Sequence, residues 1–508
     1  MTSIVLATLN ARYAHASLGL RCLRANLGEL RDDSEIVEFI VGSRADEVVE
    51  QLLARRPRLV GFGVYIWNVE ETTKIVALLK TVAPEVTVVL GGPEVSHEVE
   101  AQPVCRLADF VVTGWGDVTF AELARQILHG PRPLMKVHAG AQPPLASIAL
   151  PYDEYTVDDV RSRHVYVEAS RGCPFKCEFC LSALDRTAWP FPLAPFLVQL
   201  ARLVERGARH FKFVDRTFNL KPDTSLAILE FFLARIEASP ADPPFAHFEL
   251  IPDHLPERLK GAIARFPPGA LQFEIGIQTF NEDVQQLISR RHDNAAAESN
   301  LRWLRGHSHA HLHVDLIAGL PGEDVASFAR GFDRLVALRP HEIQLGILKR
   351  LRGAPIARHT EAFGMRFNPQ PPYNILATDR IDFATMQRLA RFARYWDLVA
   401  NSGRFPRALP LLLGDSPFAN FLAFADALYA ATGRTHAIAN ERLYEHLHAH
   451  LLGRGVDPAA ATGALAGDYL ASGARGRLGF VDVEPLLRER RGEAAPAAPQ
   501  RQQRHLRA

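Results

Sequence analysis

Short runs rich in Val, Ile and Phe alternate along most of this chain with stretches whose apolar residues return at helical spacing. That alternation predicts strands joined by helices, hence parallel sheets. In the N-terminal part the runs cover residues 3–9, 35–40, 58–65, 86–93 and 109–114, and residues 17–27 read as a helix. A sheet wound in this way takes ligands at the carboxyl ends of its strands. Two glycine segments fall there, Gly91-Gly92-Pro93-Glu94 and Gly114-Trp115-Gly116-Asp117. Glycine at such points lets a ligand approach the backbone closely.

A second series of runs covers residues 165–169, 211–215, 246–250, 271–278, 312–319 and 342–348. Six strands at β/α spacing predict an open barrel with its functional side chains at the strand carboxyl ends and in the loops after them. After the proline-rich break at 368–373 the period becomes purely helical, with residues 383–398 amphipathic and 418–451 continuing in that style. From Gly492 the chain is low in complexity and is predicted to be disordered. The predicted fold class is α/β: a Rossmann-like doubly wound domain over 1–135, a linker over 136–163, a partial (β/α)6 TIM-like barrel over 164–367, a helical C-terminal domain over 368–491, and a tail over 492–508.

Composition narrows the partners more than the chemistry. A length of 508 residues fits about three domains. An apolar fraction of 47% with 23% charged residues is that of an ordinary globular protein. The net charge of +1 favours neither nucleic acid nor a membrane surface as partner. No segment has the uninterrupted apolar length needed to span a bilayer. The N-terminus reads as a buried strand and lacks the charged-then-apolar order of a secretory signal.

Cysteine usage is the informative part. Five cysteines are too sparse for a disulfide framework. Three of them, Cys173, Cys177 and Cys180, stand at C-x3-C-x2-C spacing on one loop, after the strand at 164–169 and after Arg171-Gly172. A structural zinc site takes four ligands, usually as two separated pairs. A cubane [4Fe–4S] cluster that only stores electrons also takes four cysteines, so three thiolates leave one iron open to a substrate or cofactor. Cys22 and Cys105 lie in helical stretches and read as ordinary buried cysteines.

The stretch 169–182 resembles the radical S-adenosylmethionine (SAM) superfamily, which implies Cys173, Cys177 and Cys180 as cluster ligands and SAM chelated at the open iron. Residues 1–135 resemble the cobalamin-binding domain that precedes the barrel in one large class of these enzymes. Gly91-Gly92-Pro93 matches its glycine pair, which abuts the nucleotide tail. Gly114-Trp115-Gly116-Asp117 is similar to its G-E-G-E turn, with Trp for the first Glu and Asp for the second. The D-x-H-x-x-G motif of the family is absent in that form. The nearest stretch is 12–19, which makes His15 the candidate cobalt ligand, with a capping or substrate-facing role as the other reading; Gly63 stands where a Ser often contacts the tail.

Further matches follow in the barrel. Asp215 stands where the family uses a G-G-E-like segment to hold the SAM amino group, mainly through backbone. Glu274 and Gln278 lie in an I-G-x-Q-like segment, share a face under period-two alternation, and are assigned by the resemblance to the SAM ribose or the substrate cavity. Arg290 matches an R-x-H position whose guanidinium can fork onto the SAM carboxylate. Gly319, in Asp315 to Glu323, belongs to a D-x-I-x-G-L-P-G-E signature whose glycines admit adenine. His307, His309, His311 and His313 invite a metal reading, but they enter a barrel strand from its bottom, opposite the chemistry, so a solvated or packed run is expected. Residues 350–355 resemble a K-G-T-P turn, and the helical end resembles the extra domain of a little-characterised branch of cobalamin-type proteins.

The resemblance implies a cytoplasmic enzyme that cleaves SAM reductively at the cluster and yields a 5′-deoxyadenosyl radical. With cobalamin bound, it implies methylation of a substrate. The alternatives are oxidation or rearrangement without methyl transfer, and a non-catalytic cobalamin or cluster sensor. Methylthiolation of tRNA would need a second cluster, for which Cys22 and Cys105 are too few. The implied partners are a flavodoxin- or ferredoxin-type electron donor and a small-molecule or peptide substrate. No residue is marked as catalytic toward that substrate.

Overall fold

The computed structural model describes residues 3–474 and 476–482, together with Gln502, Arg504 and His505. The chain divides into two compact units. The first holds residues 1–216, 349–357 and 368–374; the second holds 217–348, 358–367 and 375–508.

In the first unit, strands β1 (Ile4–Asn10), β2 (Ser34–Ile40), β3 (Leu59–Gly63), β4 (Thr87–Gly91), β5 (Phe110–Thr113) and β6 (Val137–Ala139) form one sheet in the order β2-β1-β3-β4-β5-β6. Every pairing is parallel. β1 is buried along its whole length, as a strand covered on both faces must be. Val5, Ala7 and Leu9 face helices Ala45–Leu53 and Val69–Val82, whereas Ile4 and Leu6 face helices Leu18–Ala25 and Thr119–His129. The order reverses at β1, so the sheet opens a crevice between the carboxyl ends of β1 and β3.

The predicted linker is an integral part of this unit. Its residues supply β6, which is too short and too exposed to register as an apolar run. They also supply the helix Val157–Ser162, which opens with a capping box between Thr156 and Asp159. Asp159 then enters a buried ion network. Arg21 donates to Glu38 (2.9 Å) and to Asp159 (2.8 Å), and Arg163 repeats both bonds at 2.8 and 2.9 Å. Burial alone would raise the Asp159 carboxyl, but Arg21, the Thr156 N–H and Arg163 together outweigh it and hold the pKa at about 2. Two guanidinium groups and two carboxylates thus balance in the interior, which is the condition for burying them.

Strands β7 (Val165–Val167) and β10 (His210–Phe213) also lie in the first unit and pair in parallel. Between them a short antiparallel pair, β8 (Ser170–Arg171) with β9 (Trp189–Pro190), closes the base of the cysteine loop. The second unit contains β11 (Phe245–Leu250), β12 (Leu271–Gln278), β13 (His311–Ala318) and β14 (Glu342–Ile347), parallel in that order. All six expected barrel strands are therefore present, two in one unit and four in the other. Along β12 the alternation is strict: Leu271, Phe273, Ile275 and Ile277 are buried, while Gln272, Glu274, Gly276 and Gln278 take the other face.

The helical C-terminal region folds into the second unit. Phe332, on the helix Val325–Ala337, packs edge-on against Phe392 and Trp396 of the helix Phe383–Val399 at 5.1 and 4.8 Å. Asn401 bonds both the N–H and the carbonyl of Ile343 at 2.9 Å, which fixes the region to β14. The histidine run lies at the start of β13, as its position in the sequence requires: His311 meets Glu342 at 3.1 Å and stacks on His341. The tail expected to be disordered is described at three positions. Gln502 donates to Gln272, Arg504 to the Ser402 carbonyl and His505 meets the Asn401 carbonyl. The rest of that tail lies outside the described residues.

Glu323 joins the loops after β12 and β13. Its Oε1 accepts from Thr279 Oγ1 (2.7 Å) and Ser327 Oγ (3.2 Å), and burial pushes its pKa up to about 7.

Two stability predictions follow from these buried groups. Asp159→Ala leaves Arg21 and Arg163 short of one counter-charge and should lower the stability of the first unit by about 3–5 kcal/mol, read as a drop in its thermal transition. For Glu323 the folded pKa lies above the unfolded value of about 4.3, so its contribution is complete below pH ~4 and is lost as the pH rises through about 7. Glu323→Gln should therefore be more stable than the parent above pH ~7, by about 3 kcal/mol, with the gap closing toward pH ~4 in denaturant titrations.

Candidate functional site

The cysteine loop leaves the sheet at Glu168 and is held at its base. Gly172 has φ +89°, and a Cβ there would stand 2.5 Å from Thr187 Oγ1 and 2.8 Å from the Ala188 nitrogen. Only glycine fits that corner. Cys173 N–H donates to the Asp185 carbonyl (2.8 Å), and Cys180 N–H donates to the Cys177 carbonyl (3.1 Å). Cys173 and Cys177 are buried and Cys180 is half-buried. Burial pushes the Cys173 thiol up to about 11, against a hydrogen bond from Phe175, and the nearby Cys180 and Cys177 thiols add to the rise. A thiol held up in this way becomes a thiolate only beside a strong positive charge, which an iron–sulfur core supplies. Among the described residues no three His, Cys, Asp or Glu side chains converge on a single ion. A cubane does not ask for that, since each thiolate takes its own iron.

Asp215, after β10, is turned to the base of the same loop. Its carboxylate accepts from Ala169 N–H (2.9 Å) and Ser170 Oγ (2.5 Å). Burial raises its pKa to about 7 despite those donors. Its side chain thus positions the residues just ahead of Cys173.

At the carboxyl ends of β3, β4 and β5 lies a cavity of about 280 Å³. Gly61, Gly63, Gly91, Gly92, Gly114 and Gly116 line it, with Leu18, Leu23, Phe62 and Val112 among the apolar walls. At Gly92 (φ +109°) a Cβ would stand 2.5 Å from the Val64 carbonyl, so the turn exists only with glycine. Gly114 (φ +72°) has open space on its Cβ side. A cradle built from glycine and mostly apolar fits a flat aromatic group such as the base of a cobalamin's nucleotide tail. Cys22, read from sequence as an ordinary buried cysteine, lines this cavity; Cys105 does belong to the core.

A second cavity of about 410 Å³ shares Leu18, Gly19 and Tyr65 with the first. Tyr65 and Trp67 stack in its wall at 4.5 Å. Asn68, completely buried, pins the loop they stand on: its amide donates to the Leu9 carbonyl (3.0 Å) and its oxygen accepts from Tyr65 N–H (2.8 Å). His15 reaches the same cavity. Its Nδ1 meets Tyr166 Oη at 2.7 Å, and burial, with Lys212 and Arg12 nearby, lowers its pKa and keeps the ring neutral.

The polar wall of the first cavity was not foreseen. Arg171 donates to Asp117 (2.7 Å) and to Glu168 (2.8 Å), and its guanidinium lies 4.7 Å over the Trp115 ring. Trp115 Nε1–H in turn donates to Asp185 Oδ2 (2.7 Å). Burial works against the charge on Arg171, but Glu168 and Asp117 outweigh it. The only hint in the sequence was the replacement of two expected glutamates by Trp115 and Asp117. Glu94, beside Gly92, is bound by Arg352 (3.0 Å) and Tyr373 Oη (2.7 Å), and Glu98 by Arg350 (3.0 Å). The arginine turn read as the end of the barrel is thereby built into the first unit.

The remaining candidates lie in the second unit. Glu274 meets His247 Nε2 at 3.2 Å. Gln278 sits at a bulge with φ +71°, rare for a residue with a side chain and a mark of a constrained site. Arg290 donates to the Gly276 carbonyl, and a Cβ on Gly276 would meet both the Gln278 amide (2.4 Å) and Arg290 Nη2 (3.5 Å). Gln278 and Arg290 are therefore brought together over Gly276, while Glu274 turns to His247. Gly319 (φ +88°) stands elsewhere: a Cβ would meet Ile375 at 2.5 Å and Met386 at 3.0 Å, so internal packing already demands this glycine.

Comparison with known proteins agrees with this architecture. Residues 4–124 match the B12 binding domain family, residues 167–335 the Radical SAM superfamily, and residues 361–481 a family described as protein of unknown function, DUF4080. An uncharacterized methyltransferase of Pyrococcus horikoshii is 26% identical over 42% of this chain and 51% of its own length. The cobalamin-dependent radical SAM methyltransferase TokK of Streptomyces tokunonensis is 25% identical over 66% of this chain and 52% of its own. The chain thus spans about half the length of these curated relatives. The fold of the cobalamin-dependent S-adenosylmethionine radical enzyme OxsB, solved with aqua-cobalamin and S-adenosylmethionine bound, superposes with a TM-score of 0.62 at 12% identity, over 92% of this chain and 83% of that one. The two domain matches bring their cofactors with them: cobalamin, and a [4Fe–4S] cluster that works with SAM. The glycine cradle, the three-cysteine loop and the helical end fall in turn within the three matched regions, so the chain joins a B12-binding domain, a radical SAM domain and a DUF4080 region in that order.

Proposed function

We propose that this protein is a cobalamin-dependent radical SAM methyltransferase acting at an unreactive carbon of a small-molecule or peptide substrate. The observation that carries the reading is within the first unit: the glycine-lined cavity shares Glu168 and Arg171 with the base of the three-cysteine loop. When bound, the cluster and SAM supply a 5′-deoxyadenosyl radical that takes a hydrogen atom from the substrate, and cobalamin supplies the methyl group.

Each of the chain's own residues has a part in this reading. Cys173, Cys177 and Cys180 hold the cluster, and Asp215 fixes the loop base through Ala169 and Ser170. Gly91 and Gly92 would border the nucleotide tail, on a turn that only a glycine at 92 allows because a Cβ there would meet the Val64 carbonyl. His15, neutral and oriented by Tyr166, offers an imidazole in the form a metal ligand needs. Arg290, with Gln278 beside it over Gly276, would fork onto the SAM carboxylate; Glu274, next to His247, would serve the ribose or the substrate, and the backbone at Gly319 would serve the adenine. A flavodoxin- or ferredoxin-type donor provides the electron, and an oxygen-sensitive cluster favours a reducing cytoplasm. Among the described residues no helix is long and apolar enough to cross a membrane.

After anaerobic reconstitution with iron and sulfide, addition of SAM and dithionite should yield 5′-deoxyadenosine, and Cys173→Ala should abolish it. A parent protein that forms none would overturn the radical reading. Purified from cobalamin-fed cells, the parent should carry a corrinoid absorption spectrum. Gly92→Ala should lose that spectrum by roughly tenfold or more, given a strain of about 1–3 kcal/mol at its backbone, while retaining its iron; equal cobalamin content in the two would remove the cradle from the site.

A further inference from the structure

Four residues serve two structures at once. Trp115, Asp117, Glu168 and Arg171 line the 280 Å³ cavity, and the same side chains hold the cysteine loop. The loop is gripped on both sides. Ahead of Cys173, Arg171 is locked between Asp117 and Glu168 at 2.7 and 2.8 Å. After Cys180, Asp185 accepts from Trp115 Nε1–H at 2.7 Å, and its own carbonyl accepts from Cys173 N–H at 2.8 Å. Two hydrogen bonds therefore run from the cavity wall to the first cysteine. Between them the corner at Gly172 packs close against Thr187 and Ala188.

We propose that Trp115 and Asp117 are positioning residues that couple the two cofactor sites, so that a corrinoid in the cavity steadies the cysteine loop and protects the cluster. The proposal rests on the functional reading above and adds to it a dependence of one site on the other. A group in the cavity restricts the indole of Trp115 and the guanidinium of Arg171, and the loop loses the motions that would expose a thiolate to solvent. Coupling of this kind is reciprocal, so a loaded cluster should also tighten the cavity's hold on the corrinoid.

The test is the rate at which an iron chelator bleaches the reconstituted cluster, measured with and without hydroxocobalamin. In the parent, cobalamin should slow bleaching by about tenfold, within the usual range of coupling between sites. Trp115→Phe keeps a ring against Arg171 and removes only the Nε1–H donor. It should take up both cofactors, yet the ratio of the two rates should fall below about twofold, and the reduced cluster's EPR line shape should no longer change on adding cobalamin. Merely weakening the loop would speed both rates together and leave the ratio intact. Asp117→Asn, nearly isosteric, should reduce the ratio as well, and it decides the matter should Trp115→Phe not take up cobalamin. Equal rates in a parent that holds both cofactors would overturn the coupling alone, as would full protection in the variant that binds them. A parent that takes up no cobalamin or no cluster would overturn the functional reading, and the coupling with it.

Discussion

The guanidinium of Arg171 joins the parts of the first unit that matter for chemistry. It is held by Asp117 from the turn after β5 and by Glu168 from the end of β7, and it lies flat on Trp115. A positive charge at that depth persists only because two carboxylates face it. Removing either would leave that charge with a single partner two residues ahead of Cys173. The cysteine loop and the glycine cavity are therefore built around one electrostatic knot, and neither can be rearranged without the other.

The same principle recurs where the chain must tie distant segments together. Arg21 and Arg163 bind the segment after β6 to β2 through Glu38 and Asp159, and Arg352 binds the turn at 349–357 to Glu94. These are paired, hydrogen-bonded charges in half-buried or buried settings, whose cost is met only when the geometry is right. They give the first unit a defined arrangement that apolar packing alone would leave looser. In the second unit the corresponding task falls to aromatic packing around Phe332 and to the buried carboxyl of Glu323.

Motif departures were where structure added most. Trp115 and Asp117 replace two glutamates of the related turn, and each proves to have its own partner, Asp185 and Arg171. Gly319 sits in a conserved-looking signature, yet its Cβ side is occupied by Ile375 and Met386, residues far along the chain. Asp215 lies at the expected strand end, but its carboxylate is committed to Ala169 and Ser170. Spacing identifies such positions; it does not say which way a side chain turns.

What the sequence determined by itself is local or periodic. The strands of both sheets other than β6, the glycines at Gly91 and Gly92, and the C-x3-C-x2-C loop follow from alternation and from backbone geometry, which depend on neighbours in the chain. Tertiary structure alone decided the rest. The segment at 136–163 joined the first unit because a three-residue strand paired with β5 and one buried aspartate found Arg21, 138 residues away. Cys22 became a cavity wall, Gln278 and Arg290 met over Gly276, and Arg171 found Asp117. Hydrogen bonds and ion pairs of this kind depend on direction and on distances of about 3 Å, and those are set only once the sheets have formed.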